Sequence, residues 1–200
     1  MSGAGIISSY SINTFRNLDG VLIDVRSPKE YLQGHWPGAK NLPLFNNEER
    51  SLIGTTYKKN GKEKAVLLGL RIITPRLKEL KEILQREITK TSSKNLKIYC
   101  WRGGLRSASV AQFANLLGFQ TVLLNGGYKA YRKWSLEQFE KKWPLRLIGG
   151  RTGTGKTSLL KELAKMEIAT IDLEGIANHK GSSFGGIGLP PQPSCEQYEN

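Results

Sequence analysis

Two short stretches of this chain carry residue types at spacings that can do chemistry. The first is Cys100-Trp101-Arg102-Gly103-Gly104-Leu105-Arg106. It follows the apolar run Leu96–Tyr99 and precedes a helical pattern, so the cysteine falls where a strand ends and a helix begins. Two adjacent glycines let such a loop turn several backbone N–H groups inward, making an anion nest at a helix N-terminus. The same field favours a thiolate, and Arg102 and Arg106 add fixed positive charge. A sulfur nucleophile in an anion cradle suits attack on, or transfer from, sulfur, selenium, arsenic or phosphorus centres. The competing reading is an inert strand-end cysteine; the Gly-Gly turn and the two arginines weigh against it.

The second stretch, Gly150-Arg151-Thr152-Gly153-Thr154-Gly155-Lys156-Thr157, fits the pattern G-x-x-x-x-G-K-[ST] in full. Gly150, Gly153 and Gly155 let backbone N–H groups face a di- or triphosphate. Lys156 reaches the terminal phosphates, and Thr157 can hold Mg²⁺. Asp172 closes the apolar run from Ile168. It reads either as a base or water-mediated magnesium partner, or as a turn or helix cap. Two histidines and two cysteines at wide spacing predict no structural zinc site.

The elements that must position these loops follow from hydrophobic patterning. Val21–Arg26 reads as a buried strand, Lys29–Leu32 as a short helix, and Asn41–Leu44 as an edge strand because of Pro43. The polar, basic stretch from Asn46 to Gly69 reads as an irregular, partly helical insertion. Thr74 as cap and Pro75 at the first position predict a helix with Leu77, Leu80, Leu84 and Ile88 in one stripe. Thr91–Asn95 is a loop and Leu96–Tyr99 a strand. A helix from about Ser107 carries Val110, Phe113, Ala114 and Leu117 on one face, and Gly118 stops it. Thr121–Leu124 is a further strand and Tyr128–Trp143 a helix. Alternating strands and helices imply a parallel sheet covered on both faces. A second α/β unit is expected from strand Leu145–Ile148, helix Thr157–Met166 with Leu159, Leu160 and Leu163 facing a core, and strand Ile168–Leu173. The Gly- and Pro-rich stretch Gly181–Asn200 reads as loop. The expected organisation is a domain over 6–134, a linker helix over 135–144 and a partial phosphate-loop domain over 145–200.

The chain has 200 residues, 38% of them hydrophobic and 24% charged, which is globular rather than disordered composition. Its apolar runs are too short to cross a bilayer, and Met1–Gly5 lacks the basic start of a secretory leader. Too few cysteines for a disulfide framework predict a reducing, cytoplasmic compartment. Thirty Lys+Arg against seventeen Asp+Glu give a net charge of +13, which favours a polyanionic partner (nucleic acid, a phosphorylated ligand or an anionic membrane face) over simple solubility, while no basic amphipathic segment marks a membrane helix.

Asp24-Val25-Arg26, Gly34-His35-Trp36-Pro37-Gly38-Ala39, the Cys100 loop ending in Arg106-Ser107, and Asn125-Gly126-Gly127-Tyr128 together resemble a rhodanese domain. The resemblance implies an α/β fold, a rhodanese-like parallel sheet with flanking helices, here followed by the start of a P-loop NTPase-like α/β domain. It implies a loop cysteine that carries a persulfide, with Asp24 and Arg26 bracing the loop from a neighbouring strand end. The spacing from Cys100 to Arg106 is one residue longer than in many sulfur-transferring rhodaneses. It resembles rhodanese-fold phosphatases and arsenate reductases, whose wider cradle suits a tetrahedral oxyanion. Tyr99 stands where a histidine commonly precedes such a phosphatase cysteine.

Longer phrases narrow the resemblance. Asn46–Arg50, Gly54–Lys58, Tyr99–Gly104, Gly126–Arg132 and Asp172–Gly185 are similar to the tRNA 2-selenouridine synthase family. That resemblance implies replacement of sulfur by selenium in wobble 2-thiouridine of tRNA through an S-geranyl intermediate, with selenophosphate and geranyl diphosphate as co-substrates. It assigns the prenyl diphosphate to Lys156 and Thr157, selenium to Cys100, and tRNA phosphates and bases to Lys129–Lys133 with Tyr128, Tyr131 and Trp134. A second chain completing the phosphate-loop domain is a further expected partner. The alternatives are a rhodanese-fold sulfurtransferase, a phosphatase or arsenate reductase, and an inactive fragment whose first half folds alone.

Overall fold

In the computed structural model of the chain, residues 7–89, 95–151 and 153–200 are described. Thr152, the side chain of Ile88 and, apart from Asn95, the expected loop Thr91–Asn95 lie outside them. The chain divides into two compact units, Met1–Glu137 with Asn200, and Gln138–Glu199.

The first unit runs β1 (Ser8–Tyr10), α1 (Ile12–Phe15), β2 (Val21–Asp24), α2 (Pro28–Gln33), β3 (Lys40–Asn41) and α3 (Asn47–Ile73). A 3₁₀ turn (Thr74–Arg76) then leads to α4 (Leu77–Thr89), β4 (Asn95–Tyr99), α5 (Leu105–Leu116), β5 (Gln120–Leu124) and α6 (Gly127–Phe139). The five strands form one all-parallel sheet in the order β1-β5-β4-β2-β3. Cys100 therefore follows the central strand, at its carboxyl end, where open parallel sheets place their ligand sites.

Strand geometry divides the core between the two sheet faces. Successive side chains of a strand point to opposite faces. From β4, Leu96, Ile98 and the following Cys100 enter an aliphatic cluster with Val21, Ile23, Leu84, Val110 and Ala114. Tyr99 enters a second, aromatic cluster with Phe15, Leu124, Tyr128 and Tyr131. Each fully buried leucine or isoleucine contributes roughly 1.5–3 kcal/mol. Lys97 on the aromatic face is 7% exposed, and its ammonium donates to the Leu18 carbonyl at 2.7 Å.

Several expectations are corrected here. The stretch expected as an irregular, partly helical insertion is helical from Asn47 on, on both sides of a break at Gly61, as part of α3. Asn46 and Glu49 form a reciprocal capping box at its start, and Gly61 at φ 87° kinks it. Thr74 does not cap α4: it is helical itself, and its hydroxyl donates to the Leu70 carbonyl at 2.7 Å. Strand β1 was absent from the expected elements.

The second unit contains α7 (Lys156–Lys165), α8 (Leu173–Ile176) and α9 (Cys195–Tyr198). The expected strands at 145–148 and 168–173 are not formed among the described residues, because no neighbouring strand pairs with either. Helix α7 buries none of its residues, so Leu159, Leu160 and Leu163 do not face a closed core. No helix is long and apolar enough to cross a membrane among the described residues.

Candidate active site: a thiol loop and a phosphate loop

The Cys100 loop is held from behind by a glycine turn. The N–H groups of Tyr128 and Lys129, in the first turn of α6, donate to the carbonyls of Cys100 and Trp101 at 2.8 and 3.1 Å. This back-to-back contact leaves no room for side chains. A Cβ on Gly103 (φ +68°) would stand 2.7 Å from the Leu124 carbonyl oxygen, and one on Gly127 (φ +58°) would collide with the Cys100 carbonyl oxygen. Both positions also need the left-handed backbone that glycine adopts freely.

With its carbonyls tied back, the loop turns hydrogen-bond donors toward the sulfur. The Gly104 N–H donates to Sγ of Cys100 at 3.3 Å, and the Ser107 hydroxyl lies 3.2 Å from Sγ. That hydroxyl also approaches the Gly104 carbonyl at 3.0 Å. Cys100 is only 3% exposed. Burial pushes its thiol up, but the Ser107 hydroxyl and N–H, the Gly104 N–H and the charge of Arg106 outweigh burial, so the thiol lies below its ordinary value. The group is a buried sulfur poised toward the thiolate.

The charges expected to flank the thiol differ in role. Arg102 is exposed. Arg106 is committed to Glu30, with its two terminal nitrogens 2.7 and 3.4 Å from the carboxylate oxygens. Glu30 also lies 3.5 Å from Nε of Arg50 on α3, and it accepts the Ser27 N–H that closes the cap of α2. Burial pushes Glu30 up, but Arg106 and the other donors hold its carboxyl below the ordinary range. Leu105 is exposed and opens α5; Trp101 packs its ring against Tyr128.

Asp24 and Arg26 form a fully buried pair beneath this loop. The carboxylate of Asp24 accepts from Nε of Arg26 at 3.0 Å and from its terminal nitrogen at 2.7 Å, and that nitrogen also donates to the Gly34 carbonyl. The guanidinium lies 3.7 Å from the centroid of the Tyr128 ring and 5.7 Å from that of Trp101. Its remaining nitrogen has no hydrogen-bond partner, so the ring face of Tyr128 is its principal company. His35 stacks on Tyr31, with ring centroids 3.7 Å apart, and its Nδ1 lies 3.0 Å from the Tyr31 carbonyl.

The phosphate loop is built locally. Gly155 caps α7 in the left-handed region at φ 80°, and Gly150 and Gly153 also have positive φ, at 157° and 82°. The ammonium of Lys156 folds back to donate to the carbonyls of Gly150 and Arg151, both at 2.9 Å. It thus lies over the loop that a phosphate chain would enter, at the positive end of a ten-residue helix. Ile148, Gly149, Gly150, Thr154, Gly155, Lys156 and Leu159 line an open cavity of about 340 Å³. Thr157 is exposed at the same helix end. Asp172 does not join it: its carboxylate caps α8, accepting from the Gly175 N–H at 3.0 Å. A separate cleft of about 230 Å³ lies between β3 and α4, and its lining includes no residue of the Cys100 loop.

The roles of three participants escaped the sequence reading. Ser107 stands one helical turn past the loop, where a hydroxyl can reach the sulfur; the cysteine-to-serine spacing was the available signal. Glu30 was visible only as the third member of a capping box. Tyr128 was noted in the motif and assigned to base stacking, but nothing in the sequence marked it as the ring that covers Arg26. The rings assigned to RNA are in part a correction: Tyr128 and Tyr131 are buried at 1% and 2% and form core, not a stacking platform, while the half-buried Trp134 packs on Tyr131.

Comparison with known proteins agrees with this architecture. The rhodanese-like domain profile matches residues 12–133, and the profile of the tRNA 2-selenouridine synthase AAA domain matches residues 143–200. A tRNA 2-selenouridine synthase of a Sulfurovum species is 43% identical over 90% of this chain and 48% of its own length. The protein of that name from Nitrosomonas eutropha is 39% identical over 97% of this chain and 50% of its own. The chain thus spans about half the length of the curated relatives it matches. Among solved structures, the N-terminal domain of a putative ATP/GTP binding protein from Clostridium difficile is 38% identical. It superposes with a TM-score of 0.60, covering 64% of this chain and 99% of that one. The parallel sheet, the cysteine loop at its carboxyl edge and the phosphate loop that follows place this chain in the rhodanese-like domain family, in the two-domain arrangement of the proteins named tRNA 2-selenouridine synthase.

Proposed function

We propose that this chain is the rhodanese and phosphate-loop portion of an enzyme that replaces sulfur by selenium in wobble 2-thiouridine of tRNA, through S-geranyl-2-thiouridine. The observation that carries the reading is the presence, in one polypeptide, of a thiol poised toward thiolate by the donors of residues 104–107 and a separate cradle for a diphosphate. A net charge of +13 supports an RNA substrate, and such a substrate puts the reaction in the cytoplasm.

In the first step the thiouridine sulfur attacks C1 of geranyl diphosphate. The carbon–oxygen bond breaks, and diphosphate leaves with the electron pair. Lys156 leaves the carbonyls of Gly150 and Arg151 for the diphosphate oxygens, and the N–H groups about Gly153 and Gly155 neutralise the charge that develops there. The Thr157 hydroxyl is free to bind Mg²⁺, which would supply further charge neutralisation. Alkylation turns the sulfur into a leaving group. In the second step the selenium of selenophosphate attacks C2, the C2–Se bond forms as the C2–S bond breaks and geranylthiolate departs, and water then cleaves the P–Se bond to release phosphate. Cys100 is assigned to the selenium donor, presenting selenophosphate to the base without itself changing oxidation state. The N–H groups of residues 101–106 hold the tetrahedral oxyanion of selenophosphate. Asp24 and Arg26 act as positioning residues under the loop. The exposed Leu147, Ile168, Ile171 and Ile176 of the second unit are the surface that further polypeptide or a second chain covers to complete the domain.

Nucleoside mass spectrometry of bulk tRNA from cells with and without the gene tests the reading. Loss of 2-selenouridine and geranylated 2-thiouridine on deletion, restored by the gene, is the expected result. Unchanged levels of both overturn it.

A further inference from the structure

The search for an RNA-facing surface starts from the cations that are not already spent. Arg26, Arg50, Arg76 and Arg106 all face carboxylates. Helix α4 interleaves Lys78, Lys81 and Arg86 with Glu79, Glu82 and Glu87, so its charges cancel. The kinked middle of α3 differs. Lys58, Lys59, Lys62 and Lys64 are exposed around Gly61 with Glu63 as the single acid among them. Among the described residues none of the four lysines makes an ion pair. Immediately before them Tyr57 is 58% exposed, a ring of the type the buried aromatics of α6 do not offer.

Position connects this patch to the thiol loop. Arg50, on the same helix, shares Glu30 with Arg106 of the loop. Lys58 stands two helical turns further on, roughly 12 Å along the axis. That is a span of a few nucleotides of extended backbone.

We propose that Tyr57, Lys58, Lys59, Lys62 and Lys64 form an RNA-docking surface, holding the phosphates of the anticodon arm while Tyr57 stacks on an unpaired base next to the reacting one. Lysines at this density neutralise phosphates and release counterions, and an exposed ring takes any base face. The inference rests on the tRNA reading given above and adds to it the location of the contact. RNA fits better than an acidic protein because an exposed ring adjoins the cations and their helix also reaches, through Arg50 and Glu30, the loop that must receive a base.

The test measures binding of tRNA by the full natural polypeptide as a function of salt. Three variants accompany the wild type: one with Lys58, Lys59, Lys62 and Lys64 all changed to Gln, one with Tyr57→Leu, and one with Lys78→Gln and Lys81→Gln on α4. The four-lysine variant is expected to lose roughly tenfold to a hundredfold in affinity and to lower the slope of log K against log salt by about 3. Tyr57→Leu is expected to lose about fivefold or more with the slope unchanged. The α4 variant should keep wild-type affinity. These side chains are exposed, so circular dichroism and the unfolding midpoint should stay at wild-type values. Wild-type binding with an unaltered four-lysine variant overturns the docking surface and leaves the tRNA reading standing. An equal loss in the α4 variant overturns it as well, because the effect would then be net charge. Absence of tRNA binding by the wild type overturns both.

Discussion

The two loops of this chain solve the same problem, holding an anion beside a reactive group, in opposite ways. The phosphate loop is local. Its shape comes from three glycines and the first turn of α7, and its lysine is held by carbonyls five and six residues away. The cysteine loop is tertiary. Its backbone is held by α6, its arginine by Glu30 on α2, and its floor by Asp24 and Arg26 from the end of β2. A local cradle keeps its form while Leu147 beside it is 95% exposed, whereas a depressed thiol pKa needs a finished core around it. A phosphate loop is therefore readable as a motif; the reactivity of a cysteine is not.

This contrast can be broken first at the floor of the cysteine loop. Asp24→Asn leaves the buried Arg26 guanidinium without its counter-charge. The expected loss is about 3–5 kcal/mol, or roughly 10–20 °C in the unfolding midpoint of the first unit by calorimetry. A shift under a few degrees would show that the loop does not depend on this pair.

Gly155→Ala is the matching change in the local loop. It places a Cβ at φ 80° and strains the backbone by about 1–2 kcal/mol. Calorimetry should find the midpoint of the first unit unchanged, while diphosphate binding by titration calorimetry weakens about tenfold or more. A lowered midpoint would contradict a locally built cradle.

Ser107→Ala sharpens the tertiary side. Removing the hydroxyl takes away the strongest of the contacts that oppose burial, so the Cys100 thiol rises, and the pH profile of its alkylation moves to higher pH. The linkage has a definite sign. A thiol depressed by folding contributes stability that is full above its ordinary value of 9.0 and fades as pH falls through the depressed one. Wild type and Ser107→Ala should therefore diverge in stability as pH rises toward 9.0 and converge in mild acid. Divergence in acid instead would reverse the assignment.

The smallest effect is expected at Asp172. As a cap of α8 its change to Ala costs about 1 kcal/mol locally. Geranylation of tRNA by the full natural polypeptide should stay within a few-fold of wild type. A loss of a hundredfold would restore the base or magnesium role considered from the sequence.

The same division explains what the sequence disclosed. Both chemical loops were legible because glycine spacing and flanking charge are local facts. The sheet was legible from the runs Val21–Arg26, Leu96–Tyr99 and Thr121–Leu124, which fall on β2, β4 and β5. Strand β1 was not: Ser8–Tyr10 is short and polar, and it is a strand only because β5 pairs with it. The reverse holds at 145–148 and 168–173, where apolar runs predict strands that have no ladder partner. Helix α3 was obscured by Gly54, Thr55, Thr56 and Gly61, residues of low helix propensity, although its Asn46–Glu49 capping box was readable. The aromatics of Tyr128–Trp134 looked like a stacking surface because sequence cannot tell an exposed ring from a buried one.

The central claim is that two anion sites perform two successive steps on one base. Nucleoside mass spectrometry of tRNA from a deletion strain complemented with the Cys100→Ser or the Lys156→Ala gene tests it most directly. The account predicts that Cys100→Ser loses 2-selenouridine while retaining geranylated 2-thiouridine, and that Lys156→Ala loses both. Wild-type levels of 2-selenouridine in either variant would contradict it.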